Sequence, residues 1–464
     1  MPPTRRRERL ETGVPGLDEV LHGGFWEGSL TILQGSPGAG KTIAANQICF
    51  SHARRGGRSV YFTLLAESHD QLLLNLQPMS FYDEAQVSET IFYISAFSTI
   101  NTEGLKGLLR LLTREREQRS ASLVVLDGVF ALEEASENEA EFRRIINELG
   151  NLASITRTTI LLLTNSRRGP ENPEYTMVDG WIELGQEQVD YRSFRFLQVR
   201  KSRGSDSRSG RHQTVITDEG LRVYPRLEST AGIVRRVGRR PKLPTGISGL
   251  DAMLQGGIEA SAMTVVGGPT GVGKTSLGLH FVGQSTVEEP GLIFGFYEDE
   301  RDLVQKGTSL GIAMQKLLDS GALEIVWFPP VEALIDELAY KLLDAVRKRR
   351  AARLLVDGME AFRQSALYPE RLGRFFTALT NELRSAGTAT LFTLEQSYRN
   401  DLTTHMAPVS AVAEYIIVLR YAEGASEIRR TLTIRKSRRS HFDPRIREFA
   451  IGENGITLGD TIGG

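Results

Sequence analysis

The stretch TGVPGLDEVLHGGFWEGSLTILQGSPGAGKT, Thr12 to Thr42, recurs 233 residues later as TGISGLDAMLQGGIEASAMTVVGGPTGVGKT, Thr245 to Thr275. Thr12, Gly13, Gly16, Leu17, Asp18, Leu21, Gly23 and Gly24 meet identical residues at one constant offset, and Lys41 and Lys274 keep it. A period of half the chain is too long for a solenoid, whose units run about 20 to 50 residues. Two tandem copies of one domain are the simpler reading. We place the first over residues 1–230, a linker over 231–241 and the second over 242–464. The joining sequence ESTAGIVRRVGRRPK has neither helical nor strand periodicity.

Each copy ends its repeated stretch in the same chemistry. Gly35-Ser36-Pro37-Gly38-Ala39-Gly40-Lys41-Thr42 and Gly268-Pro269-Thr270-Gly271-Val272-Gly273-Lys274-Thr275 both fit G-x-x-x-x-G-K-[ST]. Each follows a short apolar run that reads as a strand and precedes a helical pattern. In that setting the glycines let successive N–H groups converge on a phosphate, the lysine reaches the β- and γ-phosphates, and the threonine hydroxyl meets Mg²⁺. ATP and Mg²⁺ are therefore the expected ligands.

The remaining apolar runs have one order in both copies. SLTIL, SVYFTLL, IFYIS, SLVVLD and TTILLLT in the first answer to MTVVG, GLIFGFY, LEIVWF, RLLVD and TATLFTL in the second. Their continuous apolar character suits strands buried on both faces of a parallel sheet. Helical stretches lie between them, one with Leu105, Leu108, Leu109 and Leu112 on a face and one with Leu334, Leu338, Leu342 and Val346. The expected fold class is α/β, a mostly parallel sheet flanked by helices in each copy. Asp127 and Asp357 close apolar strands behind the phosphate loops, where a carboxylate can hold the Mg²⁺ water shell. After the strand that follows the phosphate-loop helix, the second copy carries Glu298 and Asp299, while the first carries Ala66 and Glu67. A carboxylate there is placed to orient an attacking water or hydroxyl.

Composition limits the alternatives. The 464 residues carry 56 Lys and Arg against 57 Asp and Glu, a net charge of −1, which removes a global electrostatic case for a nucleic-acid or membrane-surface protein. The single cysteine, Cys49, forms no internal disulfide and reads as a small core residue. The histidines show no metal spacing, and Trp26, Trp181 and Trp327 read as packing. With no secretory signal and no long apolar run, a cytoplasmic protein that does not enter a membrane is expected.

With these residues in place the chain resembles the KaiC family, the double RecA-like ATPases of circadian and related signalling systems, over nearly its whole length. The resemblance implies two tandem RecA-like P-loop NTPase domains, a homohexameric ring with ATP at the subunit interfaces, and a slow ATPase that signals through a partner protein. It implies a paired glutamate in each domain. Glu298 and Asp299 match the pair in the second, whereas in the first only Glu67 matches, with Ala66 standing where its companion belongs. It also assigns Lys201 with Arg203, and Lys436 with Arg438, as Lys-x-Arg pairs that reach a neighbouring subunit's γ-phosphate. In that family the second domain phosphorylates an adjacent Ser-Thr pair. Here Ser410 falls on the serine and Ala411 replaces the threonine, so serine/threonine autokinase activity, if present, is confined to one site. The sequence ends with IREFAIGENGITLGDTIGG, so regulation through a longer C-terminal tail is not expected.

Two other readings use the same motifs. RecA-like domains also build DNA-dependent recombination and repair ATPases. Arg5 to Arg7, Arg235, Arg236, Arg239 and Arg240, and Arg347 to Arg350 are the basic clusters such a reading would use, although the balanced charge argues against DNA. The third reading is a nucleotide-dependent assembly scaffold, motivated by Ala66.

Overall fold

The computed structural model describes residues 8–65, 69–165, 172, 174–230, 232, 241–396, 409–423, 427–438 and 441–461. The chain divides into two compact units, Met1–Ser229 and Thr230–Gly464. In the first, the elements that matter run β1 (Leu30–Gly35), α1 (Lys41–Arg54), β2 (Ser59–Thr63), α2 (His69–Leu76), β3 (Ile91–Ser95), α3 (Phe97–Arg119), β4 (Leu123–Asp127), α4 (Glu139–Thr156) and β5 (Thr159–Thr164). Then come β6 (Gly180–Val189), β7 (Arg192–Ser202), β8 (Arg211–Thr217) and β9 (Gly220–Tyr224). The second unit repeats the plan with β10 (Met263–Gly268), α5 (Lys274–Val282), β11 (Gly291–Gly295), α6 (Glu300–Ser309), β12 (Leu323–Trp327), α7 (Ile335–Arg349), β13 (Arg353–Asp357), α8 (Leu372–Ser385) and β14 (Ala389–Glu395). It ends on β15 (Tyr415–Glu423), β16 (Ile428–Ser437), β17 (Arg447–Gly452) and β18 (Gly455–Thr461).

Both sheets have nine strands in one topology, β9-β8-β7-β6-β1-β5-β4-β2-β3 and β18-β17-β16-β15-β10-β14-β13-β11-β12. The six strands from β6 to β3, and from β15 to β12, are parallel. The central ones, β1, β2, β4 and β5 and their counterparts β10, β11, β13 and β14, read as apolar runs because both faces are covered, whereas β6 alternates buried and part-exposed residues. In β4, Val125 packs with Tyr61, Leu161 and Ile48 under α1. Its neighbours Val124 and Leu126 join Leu108, Leu112, Ile145 and Leu149 of α3 and α4 on the other face. The expected helical stripes are found one in each unit: Leu105, Leu108 and Leu112 are buried on α3 with Leu109 only part-buried, and Leu338, Leu342 and Val346 are buried on α7, with Leu334 at its N-cap position. Phosphate loops connect β1 to α1 and β10 to α5, at the C-terminal ends of central strands.

The antiparallel extension, β7 to β9 and β16 to β18, was not read from the sequence. Its polar, alternating strands lack the continuous apolar signal of the parallel ones. Its role is to brace the phosphate loop. Gln47 Oε1 on α1 accepts from Leu221 N at 2.9 Å, and at the same place on α5 His280 Nε2 accepts from Ile456 N at 3.1 Å. Gly40 and Gly273 hold φ of 99° and 116°, and an added Cβ would stand 2.8 Å from Ile216 Cδ1 or 2.7 Å from Ile451 Cδ1. Only glycine fits both that dihedral and that contact.

The repeated TG-x-x-GLD sequence proves structural. Asp18 accepts from Thr12 N and Gly13 N at 2.8 and 3.1 Å, and Asp251 accepts from Thr245 N and Thr245 Oγ1 at 2.7 and 2.8 Å. Cys49 is fully buried, and desolvation pushes its thiol up to about 12, in keeping with a core residue. Among the tryptophans, Trp181 donates to Gln34 Oε1 at 2.7 Å and stacks on Tyr175, and Trp26 lies under the Arg9 guanidinium. Trp327 departs from the packing role expected of it. It ends the edge strand β12 and stays 48% exposed. Among the described residues, no helix is long and apolar enough to cross a membrane.

Candidate functional site

In each phosphate loop the lysine turns back over its own backbone. Lys41 Nζ donates to Gly35 O and Ser36 O at 2.7 and 3.1 Å, and Lys274 Nζ to Gly268 O and Pro269 O at 2.9 Å each. Burial lowers the pKa of both lysines, and the nearby Asp127 or Glu395 and Asp357 oppose the shift. A cation held only by neutral carbonyls, at the N-terminus of a helix, is a seat prepared for phosphate.

Thr42 Oγ1 donates to Asp127 Oδ2 at 3.1 Å, and Thr275 Oγ1 to Asp357 Oδ2 at 3.0 Å. The two residues read from the sequence as Mg²⁺ partners are thus adjacent in both copies. Oxygen-only donors, one hydroxyl and one carboxylate, suit a hard dication that keeps waters and shares phosphate oxygens. Among the described residues no three His, Cys, Asp or Glu side chains gather to hold a metal unaided. The ion these residues fit is one that arrives with a nucleotide.

The carboxylates are held by different hydroxyls. Tyr61 on β2 donates to Asp127 Oδ2 at 2.6 Å, whereas Thr393 on β14 donates to Asp357 Oδ1 at 2.6 Å. Burial raises the pKa of both aspartates, and these hydrogen bonds pull it back down. Neither Tyr61 nor Thr393 carried a sequence signal, since each lies inside a strand whose residues all read as core.

Around the second loop a cleft of about 680 Å³ is lined by Lys274, Thr275, Glu298, Lys306, Asp357 and Glu395, among others. Glu298 is one wall, and Lys306 Nζ from α6 donates to both of its carboxylate oxygens, at 2.6 Å to Oε2. Asp299 has another duty. It is the N-cap of α6, accepting from Asp302 N at 3.0 Å, and does not line the cleft. Of the two carboxylates read together from the sequence, the fold brings one to the cleft and gives the other to the helix. Glu395 was missed, although it ends an apolar strand as Asp357 does, and it accepts from Thr270 Oγ1 at 2.5 Å. In the first unit Lys41, Thr42, Thr63, Asp127 and Phe130 line the equivalent cleft, while Ala66 and Glu67 lie outside the described residues.

The Lys-x-Arg pairs are built alike. Lys201 Nζ donates to Tyr175 O and Thr176 O at 3.0 and 2.7 Å, and Arg203 Nη2 to Thr176 O at 2.7 Å. Lys436 donates to Ser410 O and Arg438 to Ala411 O. Ser410 therefore sits beside the second pair, at the start of the segment leading into β15. Of the basic clusters, Arg347, Lys348 and Arg349 form the last turn of α7, where cations suit the helix dipole, and Arg347 pairs with Glu382. Arg5 to Arg7 and Arg235, Arg236, Arg239 and Arg240 lie outside the described residues.

Comparison with known proteins agrees with this geometry in both halves. A family model described as "ATPase: KaiC" matches residues 10–228 and again 243–461. The circadian clock protein KaiC3 of Synechocystis sp. is 26% identical over 97% of this chain and 92% of its own length. The circadian clock oscillator protein KaiC of Picosynechococcus sp. is 24% identical over 98% of this chain and 90% of its own. Two nine-stranded sheets of one topology, each with a phosphate loop on a central strand and a family match across each, make this chain a tandem RecA-like protein of the KaiC ATPase family.

Proposed function

We propose that the chain is an ATP-driven signalling switch that works as a ring of six, with the second unit as the stronger hydrolase and a candidate autokinase. The observation that carries this reading is the second cleft, where Lys274, Thr275, Asp357 and Glu298 line one cavity. Water placed against Glu298 loses a proton to that carboxylate while its oxygen attacks the γ-phosphorus of ATP. The bond from γ-phosphorus to the bridging oxygen breaks, and ADP leaves with the electron pair. Lys274 holds the phosphates in line. Mg²⁺, met by Thr275 and Asp357, supplies charge neutralisation.

Ring assembly would bring Lys201 and Arg203, or Lys436 and Arg438, to a neighbouring subunit's γ-phosphate, which makes turnover depend on association. The matched anchoring of both pairs on the carbonyls of one short segment supports a common role. Ser410, whose carbonyl accepts from Lys436, is the residue we assign as phosphoacceptor, with Glu298 of an adjacent subunit as base. The balanced surface charge, and the use of Arg347 to Arg349 in closing α7, favour this switch over a DNA-dependent ATPase.

Hydrolysis by Lys41→Ala and Lys274→Ala variants tests the division of labour. Lys274→Ala should remove most turnover, and Lys41→Ala should weaken a hexamer seen by native mass measurement with ATP and Mg²⁺. Undiminished turnover in Lys274→Ala, or a monomer under all nucleotide conditions, would overturn the reading.

A further inference from the structure

Lys306 has no place in the chemistry described so far, yet it is the nearest cation to the carboxylate on which that chemistry depends. We propose that Lys306 is a positioning residue that holds Glu298 in its productive rotamer, and that the second unit owes part of its turnover to this intrachain contact. The inference rests on the assignment of Glu298 as the base.

Glu298 lies in the short connection between β11 and α6, and three rotatable side-chain bonds separate its carboxylate from the backbone. Left alone in a wide, wet cleft, it would sample several rotamers, of which few face an attacking water. Lys306 removes that freedom by donating to both oxygens at once. An ionised carboxylate offers about four lone-pair sites. The ammonium takes one on each oxygen and leaves one on each for water, so the contact orients the base without consuming it. Lys306 can do this because it projects from α6, whose start is fixed by the Asp299 cap and whose inner face is fixed by buried Leu303. Both partners remain partly open, at 36% and 32% side-chain exposure. The contact therefore adds little to fold stability, and its cleft-lining position makes better sense as a constraint on Glu298.

Among the described residues of the first unit, the corresponding helix position carries no cation. Counting from the first buried leucine of the corresponding helices, Leu72 in α2 and Leu303 in α6, Lys306 falls opposite Asn75. Asn75 accepts from Gln71 and carries no charge. An unequal division of labour between the copies follows from this difference.

The test is ATP turnover by the full chain, with the residual rate of Lys274→Ala subtracted to isolate the second unit. Lys306→Met should lower kcat about tenfold and leave KM within about twofold, because ground-state binding does not involve Glu298. Lys306→Arg, which can also span two carboxylate oxygens, should recover most of the loss. In a Glu298→Gln background, Lys306→Met should have no further effect. A kcat for Lys306→Met within twofold of the parent would overturn the proposal, as would a rise in KM that accounts for the whole loss. If Glu298→Gln itself leaves turnover intact, the assignment of the base has failed instead. Unchanged thermal unfolding of Lys306→Met separates either outcome from misfolding.

Discussion

Removing Arg384 should destabilise the second unit far more than any surface arginine, and the structure says by how much. Arg384 on α8 donates to both oxygens of Glu414, at 2.7 and 2.9 Å, and also to Val412 O at 2.6 Å. The side chains are only 9% and 5% exposed. Glu414 Oε2 also accepts from Met263 N at 2.9 Å, at the start of the strand that ends in the phosphate loop. Arg384→Met therefore leaves a buried carboxylate without its counter-charge, at a cost of about 3 to 5 kcal/mol. For a unit of this size that lowers the melting temperature by about 10 °C. Arg384→Met/Glu414→Gln removes the orphaned charge and keeps an acceptor for Met263 N, so it should regain about 2 kcal/mol of the loss. Calorimetry gives the melting temperatures, and hydrogen exchange locates the change. Protection should fall in β10, α8 and β15 and stay constant throughout the first unit. An Arg384→Met variant within about 1 kcal/mol of the parent, or a double variant less stable than the single one, would refute the reasoning.

Other contacts give sharp expectations. Tyr61→Phe deprives buried Asp127 of its 2.6 Å hydrogen bond. It should weaken Mg²⁺-ATP binding to the first unit about tenfold, the equivalent of about 1.4 kcal/mol, in a Lys274→Ala background titrated with a fluorescent nucleotide; unchanged affinity would mean that Thr42 suffices to hold the carboxylate. His280 accepts from Ile456 N and burial lowers its pKa, so the unfolded chain takes up the proton first. The stability contributed by the neutral imidazole is complete above about pH 6.5 and is lost as the pH falls below it. His280→Gln, which copies Gln47 of the first unit, should flatten the decline in stability between about pH 7 and pH 5; an unaltered pH profile would place the acid sensitivity elsewhere.

The central parallel strands, the phosphate loops and the placement of Asp127 and Asp357 beside them were legible because each imposes a local pattern that few other structures share. A strand buried on both faces must be apolar throughout, and a phosphate cradle must place glycine where φ is positive. What escaped is what depends on long-range pairing. The antiparallel extension has mixed composition because one side braces the loop and the other meets solvent. Tyr61 and Thr393 do the same work on Asp127 and Asp357 from different strands. No alignment of the two copies by residue type could have paired them.

Asp299 and Glu67 carry the same lesson into the site. By strand register, Thr63 and Gly295 are equivalent, since each pairs with the aspartate that ends the neighbouring strand. Counting forward from them sets Ala66 opposite Glu298 and makes the first unit look deprived of its base. Counting backward from the helices gives a different answer, because Leu72 and Leu303 are the first buried residues of α2 and α6. Glu67 and Glu298 both stand five positions before those leucines, and the first copy has one residue more between strand and helix. The helix is the better reference for a side chain at its threshold, because in the second copy it is the helix that takes Asp299 as its cap and leaves Glu298 to the cleft. By sequence count alone, Glu67 then falls opposite Glu298. The contrast between the copies then lies in Lys306, which holds its glutamate in the second unit and has only the neutral Asn75 as its counterpart in the first.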